Sequence, residues 1–270
     1  MKNYRKIITI LIIILLLFVI SSLGFYREIK VTYYTFKSSK LPSSFNDFKI
    51  VQISDLHCSV FGHNQEELIS QIANLDPDII ILTGDMIDKN SIDISSIDYL
   101  IREISSLAPI YSVDGNHDIS NKRMYDRLEL LYNKYGVIDL NRNTTNITIG
   151  DETIYLHGEN ESFQYNEPTF RYPDPSNFNI LLYHYGNYFD KIQKYKYDLA
   201  FTGHTHGGVI CLPLIGGIIS NDGSLFPKYD YGLYTKGSTT MILSRGLGET
   251  DFPRFFNRPE IVCTILKHID

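Results

Sequence analysis

The chain has 270 residues, a length that suits one large domain with an appendage or two small domains. Hydrophobic residues make up 43% of it and charged residues 21%, so it can form a packed core, and this excludes general disorder. The formal net charge is −6 and no basic tract stands out, so we expect no nucleic-acid partner.

The first predicted element is a membrane-spanning helix. No charge lies between Lys6 and Arg27, and residues 7–26 are almost wholly apolar. A helix needs about 20 residues to cross a hydrocarbon core of ~30 Å. The tripeptide SLG at 22–24 resembles a signal-peptidase site, but the apolar run is longer than the usual core of a signal peptide. We therefore expect a transmembrane anchor at 7–26, with a cleaved signal peptide as the alternative.

Positive charges flank this run on both sides. Those before it lie within the tail 1–6, whereas those after it are spread as far as Lys40. This pattern favours a single-pass protein of the cell membrane with its large domain outside the cytoplasm. Residues 27–47 are predicted to form a polar connector, and 48–270 the folded domain.

The folded domain begins with alternating strands and helices. The apolar and amphipathic runs predict strands at 49–54, 79–83 and 110–113 and helices at 64–75, 97–107 and 122–134. After about residue 137 short β segments predominate. The order predicts an α/β fold of two packed mixed β-sheets flanked by helices, an α/β/β/α sandwich, preceded by one N-terminal transmembrane helix.

Polar clusters follow five of the predicted strands. They are Ser54-Asp55-Leu56-His57, Gly84-Asp85-Met86-Ile87-Asp88, Gly115-Asn116-His117-Asp118, Tyr183-His184 and Gly203-His204-Thr205-His206. A strand holds its terminal side chain rigidly, while a following glycine lets the backbone turn away. Each cluster alone is a weak signal, but together they predict a shared cleft.

The side chains of these clusters suit divalent metals. They offer carboxylate or carboxamide oxygens from Asp55, Asp85 and Asn116, and imidazoles from His57, His184, His204 and His206. Nitrogen and oxygen ligands without a thiolate suit Mn²⁺, Fe or Zn²⁺. Seven ligands are too many for one ion and about right for two ions that share a bridging ligand.

The ordered series DLH, GDMID, GNHD, an isolated histidine and GHTHGG resembles the calcineurin-like metallophosphoesterase superfamily. The stretches GHTHGGVICLP and YDYGLYTKGSTTMILSRGLGETDFPRFFNRPEI resemble the branch of membrane-anchored or exported bacterial phosphodiesterases that includes YkuE-like and YaeI-like proteins. The resemblance covers roughly residues 30–268.

Carried over residue by residue, the resemblance implies two metal sites. One ion would be held by Asp55, His57, Asp85 and His206, and the other by Asp85, Asn116, His184 and His204, with Asp85 bridging. It also implies that His117 is a catalytic histidine beside the substrate phosphate and that Asp88 orients it. Hydrolysis would use a hydroxide that bridges the two ions, with Mn²⁺ the expected metal and Fe or Zn²⁺ as alternatives.

Other polar residues have more ordinary interpretations. His63, His157 and His268 lie outside the clusters and are expected at the surface or in structural roles. Arg245 and Arg254 are candidates to bind the substrate phosphate, although such arginines are more often paired at the surface. Cys58, Cys211 and Cys263 have no metal-like spacing and do not indicate a disulfide framework.

Three functions remain compatible with the sequence. The first is a phosphodiesterase or pyrophosphatase that acts at the membrane on a phosphorylated small molecule or a lipid-linked substrate. The second is a phosphomonoesterase on a similar substrate. The third, a scaffold without activity, is the least favoured, because every expected ligand and His117 are present.

Overall fold

The computed structural model of the chain describes residues 2–160, 170–221, 223–249 and 252–270. Its helices are α1 (Lys2–Gly24), α2 (Glu66–Leu75), α3 (Ser95–Ile104), α4 (Asn116–Ser120), α5 (Lys122–Tyr135) and α6 (Phe189–Ile192). Its strands are β1 (Lys30–Ser38), β2 (Lys49–Ile53), β3 (Ile79–Thr83), β4 (Ile110–Val113), β5 (Ile138–Asp139), β6 (Thr144–Ile149), β7 (Glu152–Glu159), β8 (Phe178–Tyr185), β9 (Leu199–Gly203), β10 (Ile210–Leu212), β11 (Gly216–Ile219), β12 (Gly232–Lys236), β13 (Thr239–Leu243) and β14 (Glu260–His268).

The strands form two six-stranded sheets and one small hairpin. The first sheet has the order β1-β14-β2-β3-β4-β5, and the second has the order β12-β13-β9-β8-β7-β6. Both are mixed: β2 to β5 run parallel beside an antiparallel β14, and β7, β8, β9 and β13 run parallel between antiparallel edge strands. The predicted class is therefore confirmed.

The main core lies between the two sheets. Alternate residues of the first sheet, such as Ile79 and Ile81, pack with Leu182 and Phe201 of the second in one buried cluster. Successive side chains of a strand point to opposite faces, so Ile80 and Leu82 face the other way, into the helices α2, α3 and α5. Both faces are apolar, which explains why these strands are continuous hydrophobic runs.

The helices pack through apolar side chains that recur at helical spacing in the sequence. In α2 the residues Leu68, Ile72 and Leu75 recur every three or four positions and are buried against the first sheet. The helix ends at Asp76, whose φ of 51° is left-handed, and Pro77 follows it. The outer face of the second sheet is covered by α6 and neighbouring aromatic side chains.

Helix α1 stands apart from this sandwich. Its segment Tyr4–Gly24 has 21 residues and is long and apolar enough to cross a membrane. At 1.5 Å per residue it measures about 31 Å, close to the thickness of a hydrocarbon core. Its side chains are almost all exposed. The helix stops at Gly24, so Phe25 and Tyr26 lie beyond its end.

Residues 27–47, for which the sequence suggested a connector, include the edge strand β1. This strand pairs in parallel with β14. Lys30 lies opposite Glu260 at one end of the pairing, and Ser38 lies opposite His268 at the other. The first sheet therefore begins well before residue 48. Because its partner is the last strand of the chain, the pairing depends on a contact that no local pattern shows.

The parallel strands bring the functional loops to one edge of the sandwich. The loops after β2, β3 and β4 leave the first sheet at its carboxyl edge, and those after β8 and β9 leave the second sheet likewise. Most residues of the predicted polar clusters lie in these loops, and the first residues of α4 lie among them. Tyr183 and His184 lie within β8, close to its end.

Candidate metal centre

Several predicted ligands adopt a backbone conformation that ordinary residues rarely use. Asp55, His57, Asp85, His204 and His206 have positive φ angles between 48° and 77°. Such angles are uncommon outside glycine and cost on the order of 1–3 kcal/mol each. The surrounding fold must supply this energy, and strain of this kind concentrates at functional sites.

Asp55, His57 and His206 form the first group of side chains that could hold a metal, with ligand atoms within 4.8 Å of one another. The Nε2 atoms of His57 and His206 face each other at 3.1 Å, and His206 Nε2 lies 3.5 Å from Asp55 Oδ1. Two nitrogens bound to one ion at about 2.1 Å in a tetrahedral arrangement would lie about 3.4 Å apart. The spacing therefore suits a shared ion.

Asp85, His184 and His204 form the second group, again within 4.8 Å. His184 Nε2 lies 3.1 Å from Asp85 Oδ2 and 3.3 Å from His204 Nδ1. His184 is buried, and its Nδ1 lies 2.8 Å from the carbonyl oxygen of Thr83, to which an Nδ1–H donates. That hydrogen bond leaves the Nε2 lone pair free for a metal.

Asp85 lies between the two groups. Its Oδ2 is 3.1 Å from His184 Nε2 of the second group and 3.8 Å from His57 Nε2 of the first. Its Oδ1 accepts a hydrogen bond from the backbone N–H of His117 at 2.8 Å. Gly115 makes this approach possible, because a Cβ there would lie 2.1 Å from Asp85 Oδ1.

Asn116 is the first residue of α4, directly before His117. Its Oδ1 is buried and has no hydrogen-bond partner among the residues that the structure describes. A buried amide oxygen without a partner costs about 1–3 kcal/mol. A divalent cation would satisfy it, so this observation and the nitrogen–oxygen donor set both fit metal binding.

His117 and Asp88 form a pair at the mouth of the site. His117 Nδ1 lies 3.0 Å from Asp88 Oδ2, so an Nδ1–H donates to the carboxylate and Nε2 stays available. His57 Nδ1 is 3.6 Å from the same oxygen, longer than a hydrogen bond. Both His117 and Asp88 line the cavity.

The electrostatics favour positive charge between Asp85 and His184. Burial lowers the pKa of His184, but the charge and hydrogen bond of Asp85, the charge of Asp55 and the hydrogen bond to Thr83 together outweigh burial and raise the pKa to about 10. Burial likewise raises the pKa of Asp85, but the charge of His184 and its hydrogen bond bring it well below its usual value. Both shifts have the same cause, a position between the two side chains where positive charge is stabilised.

The pKa of His206 is shifted in the opposite direction to that of His184. Burial, together with the charges of His57 and Arg254, holds its pKa well below the usual value. The imidazole of His206 therefore stays neutral, the form that binds metals.

A cavity of about 400 Å³ opens over the first group. Its lining residues are His57, Ser59, Asp88, Lys89, His117, His206, Asn221, Glu249 and Phe252. The lining is largely polar and includes side chains of both charges.

Neither predicted substrate-binding arginine is among the described residues that line this cavity. Arg254 is fully buried, and it donates hydrogen bonds to the carbonyl oxygens of Gly248 and Arg245. Arg245 stacks 3.3 Å from the ring centroid of Tyr231. The expected substrate contact does not fit the burial of Arg254, which instead holds the loop behind His206.

Several residues that sequence reasoning passed over support the site. Asn257 Nδ2 donates to the carbonyl oxygen of His206 at 2.6 Å, and Asn221 Nδ2 donates to that of His204 at 2.6 Å. Asp118 accepts hydrogen bonds from backbone N–H groups around Asp85. These bonds hold the strained loops. Only Asp118 had a sequence signal, its place in the GNHD motif.

The other histidines lie outside the two groups. His157 is buried between Thr144 and Asn179, and His268 Nδ1 is within hydrogen-bonding distance of the carbonyl oxygen of Leu41. His63 is exposed.

Two groups of carboxylate and imidazole side chains that could hold metal ions are typical of a metal-dependent hydrolase. The neighbouring pair of His117 and Asp88 forms a third such group with His57. The family model for calcineurin-like phosphoesterases matches residues 48–208, which is more than half of the chain. The chain therefore belongs to the calcineurin-like phosphoesterase family, and the resemblance expected from its motifs is confirmed.

Bacterial relatives extend the match beyond the family model. The chain is 33% identical to the metallophosphoesterase YkuE of Bacillus subtilis, over 88% of this chain and 86% of the relative. It is 27% identical to the phosphodiesterase YaeI of Escherichia coli, over 88% and 87% of the two chains. It is 25% identical to the UDP-2,3-diacylglucosamine pyrophosphatase LpxG of Chlamydia trachomatis, over 82% and 85%.

Proposed function

We propose that this protein is a binuclear phosphodiesterase or pyrophosphatase that acts at a membrane surface. The observation that carries the proposal is the position of Asp85. One of its carboxylate oxygens lies within 4 Å of a ligand nitrogen from each group, 3.1 Å from His184 and 3.8 Å from His57. A carboxylate so placed suits a bridging ligand of two ions.

In this proposal Asp55, His57, Asp85 and His206 hold one ion, and Asp85, Asn116, His184 and His204 hold the other. The donors are nitrogen and oxygen atoms, which suit Mn²⁺, with Fe or Zn²⁺ as alternatives. When bound, such a pair of ions activates water near neutral pH and neutralises charge on the phosphate.

The protein's own acid–base group is His117. Asp88 accepts its Nδ1–H, which fixes the orientation of the ring. Its Nε2 is then free to donate to the phosphate or to the leaving oxygen as the bond to phosphorus breaks. Lys89 lines the same cavity and adds positive charge beside the substrate phosphate.

The position of helix α1 supports a substrate held at the membrane. Arg27 follows the helix by three residues, and its Nη1 lies 2.8 Å from Oε1 of Glu249, which lines the cavity. Three residues span at most about 11 Å, so the cavity wall lies near the end of the apolar helix. The relative LpxG is named for a lipid-linked pyrophosphate substrate. We infer a phosphodiester or pyrophosphate of an amphiphile, with the domain outside the cytoplasm.

The test is an activity screen of the full-length protein in detergent after chelation and re-addition of Mn²⁺. We expect Mn²⁺ to restore hydrolysis of a bis-aryl phosphate, at a higher kcat/KM than for the corresponding mono-aryl phosphate. Asp55→Asn, which weakens metal binding by the first group of proposed ligands, serves as the control. Exclusive hydrolysis of the monoester would make the protein a monoesterase, and no metal-dependent turnover of either ester would contradict the proposal.

A further inference from the structure

The hairpin β10–β11 presents apolar side chains to solvent. The stretch 209–220, VICLPLIGGIIS, contains no charged residue. At the tip of the hairpin Leu214 is fully exposed and Ile215 is 64% exposed, and Leu212 at the end of β10 is also exposed. Isolated exposed leucines are common in soluble domains, but a contiguous uncharged set at a loop tip is not.

A neighbouring segment enlarges this surface. Ile219 pairs with Leu225, and the backbone N–H of Phe226 donates to the carbonyl oxygen of Ile218 at 2.9 Å. Leu225 and Phe226 are 66% and 65% exposed. Together Leu212, Leu214, Ile215, Leu225 and Phe226 form what we term the hairpin surface.

The strand β10, which leads into the hairpin surface, lies close to the end of α1. The backbone N–H of Cys211 donates to the carbonyl oxygen of Phe255 at 2.9 Å, and that of Phe256 donates to the carbonyl oxygen of Gly24 at 2.7 Å. The ring of Phe255 packs so closely on Gly24 that a Cβ there would lie 2.1 Å from it. The strand β10 is therefore one backbone segment away from the last residue of the apolar helix.

We propose that the hairpin surface inserts into the outer layer of the same bilayer that α1 crosses. This inference rests on the proposed anchor and adds a second membrane contact to it. Phe25 and Tyr26, both exposed, directly follow α1, where interfacial aromatic residues are expected. A bilayer fits the surface better than water, because it would cover these side chains without requiring polar partners.

Two attachment points would fix the domain's orientation. A single helix leaves a domain free to rotate on its connecting segment, whereas a helix and a nearby hairpin hold it against the surface. Phe252, which is 60% exposed, lines the catalytic cavity, and so does Glu249, the partner of Arg27. The cavity would then stay within reach of phosphate groups at the bilayer surface.

The absence of tryptophan from the chain allows a direct test. Leu214→Trp in the full-length protein, reconstituted in phosphatidylcholine vesicles, carries a single tryptophan at the hairpin tip. We expect its emission to shift to the blue and to be quenched when the acyl chains of the lipid are brominated. The matched control is Ile149→Trp, an exposed position at the turn before β7, at the sheet edge opposite the metal centre.

A second variant tests the membrane contact of the anchor independently of the hairpin. Leu15→Trp places the single tryptophan within α1. Quenching at position 15 with water-like emission at position 214 would overturn the hairpin proposal and leave the anchor intact; no quenching at either position would overturn both. If a second copy of the chain covers the surface, the Leu214→Trp emission shifts to the blue without quenching by bromine, which also contradicts bilayer insertion.

Discussion

The carboxylate of Asp118 holds the loop of Asp85 by accepting a hydrogen bond from the backbone N–H of Asp85 at 2.7 Å. The same carboxylate accepts from the N–H groups of Ile87 at 2.9 Å and Gly115 at 2.9 Å. It is buried, so these three N–H groups have little access to water. One side chain thus ties the loop after β3 to the loop after β4.

We predict that Asp118→Ala destabilises the protein by about 2–4 kcal/mol, because it leaves buried N–H groups that cost roughly 1–3 kcal/mol each. The loss is partly offset, since burial and the nearby Asp85 and Asp114 raise the pKa of Asp118 to about 7 and its ionised form is itself unfavourable. Thermal unfolding in detergent measures the effect. Asp126→Ala, which removes an exposed carboxylate of α5, is the matched control and should change stability by less than about 1 kcal/mol. Equal Tm values for the two variants would show that Asp118 does not hold the loop.

We predict that His117→Ala retains its metals and loses about 10²–10⁴-fold in kcat, the usual size of a general acid–base contribution. The reason is that His117 is paired with Asp88 at the cavity. These two residues and His57 form a third group that could hold a metal, but His117 belongs to neither of the two groups proposed to bind the ions. Steady-state kinetics and elemental analysis of the same sample measure both properties. His63→Ala, at an exposed position, should leave both unchanged. Metal loss from His117→Ala would instead make His117 a ligand.

His157 gives the stability a pH dependence that has no connection with catalysis. Asn179 Nδ2 donates to the carbonyl oxygens of Asp174 and Asn177, so its Oδ1 accepts from His157 Nε2–H, and His157 Nδ1 then accepts from Thr144. This arrangement defines a neutral ring. Burial lowers the pKa of His157 below its ordinary value of 6.5.

Because the folded pKa is lowered, the unfolded chain binds the proton more readily, and stability falls as pH decreases below about 6.5. We predict that His157→Asn reduces this loss between about pH 7.5 and pH 5.5, where a single group contributes at most about 1.4 kcal/mol per pH unit. Chemical denaturation at several pH values measures the slope. The exposed His63→Asn is the control. A slope unchanged by His157→Asn would contradict the assignment.

The proposed topology predicts which protease treatment cuts the domain. Protease added to intact cells without their wall should digest the domain, because its connection to α1 places it outside the cytoplasm in our proposal. Immunoblotting against the carboxyl terminus follows the loss, and a cytoplasmic protein that survives until lysis is the control. Digestion only after lysis would reverse the orientation.

The sequence predicted the elements that local patterns determine and missed those set by distant contacts. The strands Ile79–Thr83 and Ile110–Val113 have the predicted bounds because each is an apolar run that ends at a turn residue. The strand Lys30–Ser38 was not predicted, since its partner residues, Glu260–His268, lie at the other end of the chain.

The site shows the same limit. The proposed ligands could be identified from the sequence because they lie in short polar clusters near the carboxyl ends of strands, His184 being the residue before the last of β8. The burial of Arg254 could not, because it results from hydrogen bonds to Gly248 and Arg245 that depend on how the loop folds back behind His206. The supporting roles of Asn257 and Asn221 likewise consist of bonds to distant carbonyl oxygens.

We propose that Asp85 bridges two metal ions, and the metal content of the protein tests this directly. Full-length protein, reconstituted with Mn²⁺ and freed of excess metal, is analysed for Mn per chain beside Asp85→Ala and the exposed-site control Asp126→Ala. We expect about two ions in the wild type and in Asp126→Ala, and one or none in Asp85→Ala, because the bridge contributes to both sites. Two ions retained in Asp85→Ala, or a single ion in the wild type, would contradict it.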